Sequence, residues 1–119
     1  NMNADVIDVA AAGGAVSLPG VMTPSESLAA LDAGASGLKM FPASVLGSDG
    51  MAAIKAVLPA DTQICAVGGV SHNDFADYMA AGIQGFGLGS SLYRPGDTLQ
   101  MVQAKAAAAI AAYDSACQR

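Results

Sequence analysis

The sequence predicts an α/β fold in which the strands of a parallel sheet alternate with helices. Short apolar runs, each bounded by glycine or proline, alternate with longer stretches of helical spacing along the 119 residues. The order also repeats internally: Gly20-Val21, a helix and Ala33-Gly34 are followed later by Gly69-Val70, a helix and Ala81-Gly82. Regular alternation of this kind is typical of right-handed crossovers between parallel strands.

Two N-terminal capping signals open the first two helices. Asn3 can cap a helical stretch that we expect over residues 3–12, and Gly13-Gly14 ends it. The segment Thr23-Pro24-Ser25-Glu26 combines a capping hydroxyl, a proline at the first helical position and an acid at the third, which is a capping box. The second helix is therefore predicted to begin there and to continue to about residue 33.

The strands are expected between these helices and those that follow. An apolar run at 15–18 predicts the first strand, and the run that contains Lys39 predicts the second. The third and fourth strands are expected at 63–67 and near 85–88. The remaining helices are expected at about 49–58, 73–81 and 98–117.

Four strands, each followed by a helix, with one further helix in front, make half of a parallel (β/α)8 TIM barrel. Such a half-sheet would have two open edges and one face without its packing partner. We therefore expect residues 1–119 to be the C-terminal half of one barrel domain, strands 5 to 8, whose N-terminal half is absent from this chain. The lack of an initiator methionine favours the same interpretation. An open flavodoxin-like layer is the alternative.

Composition excludes several classes of function. The net charge is −5 and the five Lys and Arg residues form no basic patch, so we expect no nucleic-acid partner. No apolar stretch approaches the ~18 residues of a spanning helix, and the start lacks a signal-peptide pattern, so we expect a cytoplasmic protein without membrane contact. Two cysteines, Cys65 and Cys117, and a single histidine indicate neither a disulfide nor a metal site. No cofactor is expected.

Lys39 is the candidate nucleophile because it interrupts an otherwise apolar run, Gly37–Pro42, at the end of a predicted buried strand. Lysine is among the residues least often fully buried, so it needs a partner or a function. Desolvation of a lysine favours the neutral amine that attacks a ketone to form an iminium. Pairing with an acid or with a phosphate remains the alternative on the pattern alone.

Two glycine-containing turns follow the third and fourth predicted strands. Gly68-Gly69 and Gly89-Ser90 would let backbone N–H groups approach an anion, and Ser90 adds a hydroxyl donor. In parallel barrels the site lies at the carboxyl ends of the strands, and the last two strands commonly hold phosphate. Glycines that only permit tight turns or close packing are the alternative.

Four segments carry a resemblance to a known family: Pro19–Glu26, Ala33–Pro42, Val67–Val70 and Gly87–Tyr93. They resemble the C-terminal half of the KDPG/KHG class I aldolases, which include the 2-keto-3-deoxy-6-phosphogluconate and phosphogalactonate aldolases. The resemblance covers nearly the whole chain, and the block Leu38-Lys39-Met40-Phe41-Pro42 is its most specific motif.

The resemblance implies a Schiff-base aldolase, a lyase without metal, that forms a homotrimer and cleaves a phosphorylated keto-deoxy sugar acid into pyruvate and glyceraldehyde 3-phosphate. Lys39 matches the Schiff-base lysine, and Phe41 matches an aromatic residue beside it. The positions that match phosphate-binding residues are Gly68, Gly69, Gly89 and Ser90.

Val67 is expected to bear on the choice of substrate. The phosphogluconate enzymes resemble Thr-Gly-Gly at this point and the phosphogalactonate enzymes Val-Gly-Gly, which favours 2-dehydro-3-deoxy-6-phosphogalactonate here. An enzyme of broader KDPG/KHG specificity, a phosphosugar isomerase or epimerase barrel, and a non-catalytic half-barrel are the alternatives. The family's acid/base glutamate and carboxylate-binding residues would lie in the absent half, so the fragment alone is expected to be inactive.

Overall fold

The computed structural model describes residues 1–118, in which helices and strands alternate as the sequence predicts. The helices are α1 (Ala4–Ala12), α2 (Pro24–Asp32), α3 (Ala43–Lys55), α4 (Phe75–Ala80) and α5 (Leu99–Cys117), with a 3-10 turn at His72–Asp74. The strands are β1 (Gly20–Val21), β2 (Leu38–Met40), β3 (Ile64–Val67) and β4 (Gly85–Gly87). All neighbouring strands are parallel, in the order β1-β2-β3-β4, which confirms the predicted parallel sheet.

The prediction for the first strand was wrong in position. Residues 15–18 form no regular strand, and β1 begins only at Gly20. The Ser17 and Pro19 carbonyls accept hydrogen bonds from the N–H groups of Ser36 and Lys39. Three residues, 17–19, therefore oppose four, 36–39, and this mismatch prevents a regular ladder before Gly20.

The start of the third helix was also predicted too late. α3 begins at Ala43, directly after Pro42, and its first turn ends at Gly47, where φ is 64° and ψ is 175°. The backbone is helical again from Ser48, close to the predicted start at residue 49. A single helical turn thus precedes the predicted helix, and it follows the strand that carries Lys39.

The capping box of α2 is present as predicted. The Thr23 hydroxyl accepts a hydrogen bond from the N–H of Glu26, whose carboxylate accepts from the N–H groups of Met22 and Thr23. The hydrogen bonds from the Met22 N–H and the Thr23 hydroxyl hold the pKa of Glu26 below its ordinary value. The carboxylate of Glu26 is therefore used to start the helix.

The two faces of the sheet have different environments. Side chains alternate along each strand, so Leu38 and Met40 point to one face and Lys39 to the other. The first face is fully buried against the helices, in a core that also contains Val21, Ile64 and Ala66 of the strands. The second face carries half-buried side chains of the candidate site, among them Lys39 and Val67.

Aromatic packing holds β4 against the last two helices. Phe86 of β4 stacks on Phe75 of α4 with ring centroids 4.1 Å apart, and Tyr113 of α5 meets both rings edge-on. Leu99, Val102, Ala106 and Ile110 have the spacing of one face of α5, but only Val102 and Ala106 are half-buried, whereas Leu99 and Ile110 are exposed. Within residues 1–118, no helix combines the length and the apolar character needed to cross a membrane.

Candidate active site

Lys39 lies in a row of residues that crosses all four strands. Gly20, Lys39, Cys65 and Gly85 are register partners on neighbouring strands. A Cβ atom at Gly20 would lie 3.2 Å from Cε of Lys39, and one at Gly85 would lie 2.8 Å from Sγ of Cys65. The two glycines thus leave room for the lysine and the thiol on the face of the sheet that the helices do not cover.

The Lys39 ammonium has an aromatic neighbour and no acidic partner in the described residues. Its Nζ lies 5.5 Å from the ring centroid of Phe41, within the range of a cation–π contact. The ion pair that residues 1–118 contain joins Lys105 to Asp97, with Nζ 2.6 Å from Oδ2. Pairing of Lys39 with an acid, one of the two alternatives from the sequence, is therefore not observed within these residues.

Six of the seven predicted site residues line one cavity at the carboxyl ends of β3 and β4. The cavity has a volume of about 250 Å³. Lys39 itself is not part of its wall, but Phe41 connects the two because its ring lines the cavity and lies beside Nζ. The lining residues are Phe41, Val67, Gly68, Gly69, Val70, Gly87, Gly89, Ser90 and Ser91.

The turn after β3 requires both of its glycines. Gly68 and Gly69 have φ angles of 94° and 74°, which side-chain-bearing residues rarely adopt. A Cβ atom at Gly68 would lie 2.9 Å from the Phe41 ring, and one at Gly69 would lie 2.5 Å from Oγ of Ser44. The Ser44 N–H also donates to the Gly68 carbonyl at 3.0 Å. The first turn of α3 therefore packs against this glycine turn and is hydrogen-bonded to it.

The turn after β4 is open on its cavity side. A Cβ atom at Gly89 would meet nothing within 4 Å, and Ser90 is exposed. The Gly89 carbonyl accepts hydrogen bonds from the N–H groups of Leu92 and Tyr93, and these bonds stabilise the turn. Nε of Arg94 donates to the Ser90 carbonyl at 3.1 Å. Exposed main chain beside a cavity can donate to an anion without displacing a side chain.

Three residues near the site escaped prediction from the sequence. Ser44 contacts the first turn, Ser91 joins the two turns, and Cys65 lies beside Lys39 in the sheet register. Burial raises the pKa of the Cys65 thiol, which keeps it protonated at neutral pH. For Ser91 the only signal was its position next to Ser90. The other two carried none, because their contacts depend on the tertiary structure.

A larger groove, of about 380 Å³, lies elsewhere, between the free edge of β4 and α5. Its walls are mainly apolar, with Phe86, Leu88, Ile110 and Tyr113 among them. It contains no lysine, acid or histidine, so we do not regard it as the site of chemistry. Among residues 1–118, no three His, Cys, Asp or Glu side chains cluster as metal ligands would.

Comparison with known proteins identifies the family. The profile of the KDPG and KHG aldolases matches residues 1–112, which is most of the chain. The chain belongs to the KDPG and KHG aldolase family. The family resemblance predicted from the motifs around Lys39 and the two glycine turns is thereby confirmed.

Individual aldolases of this family are similar to the chain over nearly its whole length. A probable 2-dehydro-3-deoxy-6-phosphogalactonate aldolase of Rhizobium meliloti (strain 1021) is 60% identical over 115 residues, covering 97% of the chain and 54% of the relative. The 2-dehydro-3-deoxy-6-phosphogalactonate aldolase of Escherichia coli (strain K12) is 43% identical over 118 residues, or 99% of the chain and 58% of the relative.

A solved structure described as native KDPGal superposes with a TM-score of 0.96 at 43% identity. The match covers all of the chain and 58% of that structure. The chain thus spans a little more than half the length of the curated relatives and of the solved aldolase that it matches.

Proposed function

We propose that this chain supplies the nucleophile and the phosphate site of a class I aldolase. In this proposal the complete enzyme cleaves 2-dehydro-3-deoxy-6-phosphogalactonate into pyruvate and glyceraldehyde 3-phosphate. The observation that carries it is the position of Lys39, one residue before the end of β2 and next to the aromatic wall of a cavity formed by two glycine turns. Membership of the family, and the name of the 60% identical relative as a probable 2-dehydro-3-deoxy-6-phosphogalactonate aldolase, support the same substrate.

The chemistry assigned to Lys39 needs a neutral amine close to a ketone. Nζ attacks the C2 carbonyl of the substrate, water leaves, and a protonated imine forms. Removal of the proton from the C4 hydroxyl then breaks the C3–C4 bond, and its electron pair moves through C3 to the iminium nitrogen. Glyceraldehyde 3-phosphate departs, and the remaining enamine takes a proton at C3. Addition of water at C2 releases pyruvate and regenerates the amine of Lys39.

The two glycine turns are proposed to hold the substrate's phosphate while this bond breaks. Gly68, Gly69, Gly89 and Ser90 all line the cavity, and the three glycines place no side chain between their main chain and a ligand. Phe41 is proposed to separate this anion site from Lys39 and to pack against the carbon chain between them. Binding energy from the distant phosphate can then be used to orient C2 toward the amine.

We further propose that residues 1–119 form the C-terminal half of one (β/α)8 domain, strands 5 to 8. The sequential strand order and the single pairing partner of β1 and of β4 among the described residues support this arrangement. The chain's 54% coverage of the Rhizobium meliloti relative agrees with it. The general acid/base and the groups that bind the substrate carboxylate are then supplied by the N-terminal half, and the half-barrel alone is inactive. The homotrimer stays a prediction.

Covalent trapping tests the proposed function. The complete protein is incubated with pyruvate and sodium borohydride, which reduces the imine to a stable secondary amine, and the adduct is located by peptide mass mapping. We expect one adduct, on Lys39, and none on Lys55 or Lys105. Treatment without pyruvate is the control. If no adduct forms on Lys39, the Schiff-base assignment is wrong.

Substitution of Val67 by threonine is expected to shift the preference between the two C4 epimers. Val67 lines the cavity, and a Cβ atom at Gly87 would lie 2.7 Å from its Cγ2, so the glycine leaves space for a branched side chain. Threonine has nearly the same shape and adds a hydroxyl that can bond the C4 hydroxyl of the phosphogluconate epimer. We expect the ratio of kcat/KM values to move toward that epimer by roughly three- to tenfold.

The control for this change is Val67→Ala, which also alters the side chain at this position of the cavity wall but introduces no hydroxyl. It should lower kcat/KM for both epimers and leave their ratio nearly unchanged. An unaltered ratio in Val67→Thr, measured with both substrates under one condition, would show that this residue does not determine epimer choice.

A further inference from the structure

A single side-chain hydrogen bond joins the two turns that line the cavity. The Ser91 hydroxyl donates to the Val70 carbonyl at 2.7 Å, and it is the one such bond between these turns among the described residues. Val70 directly follows Gly68-Gly69, and Ser91 directly follows Ser90. The bond therefore lies one residue from each part of the proposed anion site.

The main chain does not provide this connection. Pairing of β3 with β4 ends at Val67 and Gly87, before either turn begins. Beyond that point the Gly89 turn bonds to itself, and Gly68 bonds to Ser44 of the neighbouring segment. Ser91 thus continues the link between the two strands where the regular ladder has stopped.

The geometry points to Ser91 as a positioning residue that sets the spacing of the two halves of the anion site. This inference rests on the proposed function, because it concerns the phosphate of that substrate. Donors from two separate turns can meet one phosphate group only if their spacing is held to about 0.5 Å. Ser91 is half-buried, so its bond to Val70 is partly protected from competition by water.

Ser91 acts through the turns, whereas Ser90 is proposed to contact the ligand. A serine hydroxyl has one proton to donate, and that of Ser91 is given to the Val70 carbonyl. It therefore cannot donate to a phosphate at the same time. The role is distinct from that of Gly89 and Ser90, which expose their main chain to the cavity.

Kinetics of the complete protein with Ser91→Ala and Ser91→Thr test the inference. For the phosphorylated substrate we expect Ser91→Ala to raise KM by roughly three- to tenfold while kcat changes by less than about twofold, as expected for one lost hydrogen bond. Threonine retains the hydroxyl and should restore KM. For the same sugar acid without its phosphate, kcat/KM should be equal in all three proteins.

Ser36→Ala is the matched control. The Ser36 hydroxyl also ties two segments, since it accepts from the Ser17 N–H at 3.1 Å, but it lies before β2, at the opposite end of the sheet. Its loss should leave both KM values unchanged. Ser91→Cys, which keeps the size and weakens the donor, is the second variant if Ser91→Ala does not fold. A rise in KM should again be confined to the phosphorylated substrate.

A second measurement separates this inference from the proposed function. Inorganic phosphate is titrated against thermal unfolding of the parent, Ser91→Ala and Ser91→Thr proteins. We expect a smaller phosphate-dependent rise in Tm for the alanine variant alone, whether or not the parent has aldolase activity. Absence of turnover in the parent would contradict the proposed function only. Equal phosphate responses in all three proteins, or equal losses for both substrates, would overturn the role of Ser91.

Discussion

Replacement of Lys39 by methionine is expected to abolish trapping of pyruvate and to lower kcat/KM of the complete enzyme by roughly four orders of magnitude or more, as loss of a covalent nucleophile does. Methionine keeps the unbranched shape of the side chain that lies across Gly20, so the sheet should remain intact. The measurement is the release of pyruvate from the phosphorylated substrate, followed with a coupled reductase, together with borohydride trapping.

Lys55→Met is the control for this experiment. Lys55 is also half-buried, but it lies on α3 and its Nζ donates to the Gly82 carbonyl at 2.5 Å. Its replacement should lower stability and leave trapping on Lys39 intact. If the Lys39→Met protein retained turnover, Lys39 would not be the nucleophile. It would then act only as a charge partner of the substrate, as in a phosphosugar isomerase or epimerase.

Substitution of Gly69 by alanine is expected to raise KM for the phosphorylated substrate by roughly a hundredfold, which corresponds to loss of one or two charge-assisted hydrogen bonds. The φ angle of 74° is strained for alanine, and the added Cβ would lie 2.5 Å from Oγ and 2.6 Å from Cβ of Ser44. Rotation of the Ser44 side chain cannot relieve both contacts, since Cβ does not move with it. The turn must therefore shift away from the position that presents its N–H groups to the cavity.

Gly14→Ala is the control that shows the effect of backbone strain alone, without displacement of the turn at Gly69. Gly14 has nearly the same φ, 73°, and a Cβ atom there would meet nothing within 4 Å. We expect it to cost about 1 kcal/mol of stability and to leave KM unchanged. Adding Ser44→Gly to the Gly69→Ala protein should recover part of the loss. If Gly69→Ala behaves like Gly14→Ala, the first turn does not bind phosphate.

Local signals predicted most of the elements correctly. Asn3 and the Thr23–Glu26 box start their helices as expected, because a cap acts through hydrogen bonds between residues three positions apart. The errors arose where a neighbouring segment decides the conformation. The strand predicted at 15–18 is absent because the hydrogen bonds that Ser17 and Pro19 accept from the 36–39 segment do not keep the register of a regular ladder. The helical turn at Ala43 has no side-chain cap, so no sequence signal marked its start.

The residues of the candidate site also fall into those that the sequence predicted and those that depend on contacts with a distant segment. The resemblance and the strand-end rule selected Lys39, Phe41 and the glycine turns, and six of the seven residues chosen line one cavity. Ser44 and Ser91 were missed because a serine has no periodicity or motif that reports its partner. Ser91 bonds to a carbonyl 21 residues away, and nothing in the residues between them specifies that distance.

By itself the sequence determined the alternation of strands and helices and the family, and it selected Lys39 as the candidate nucleophile, since these depend on residue types and on interactions between near neighbours. Only the tertiary structure decided that Gly20 leaves room for Lys39 and that Phe41 lies beside its amine and also lines the cavity. It also decided that Ser91 spans the two turns. The reason is that parallel pairing brings distant segments into register, and side-chain contacts between them arise only when the sheet has formed.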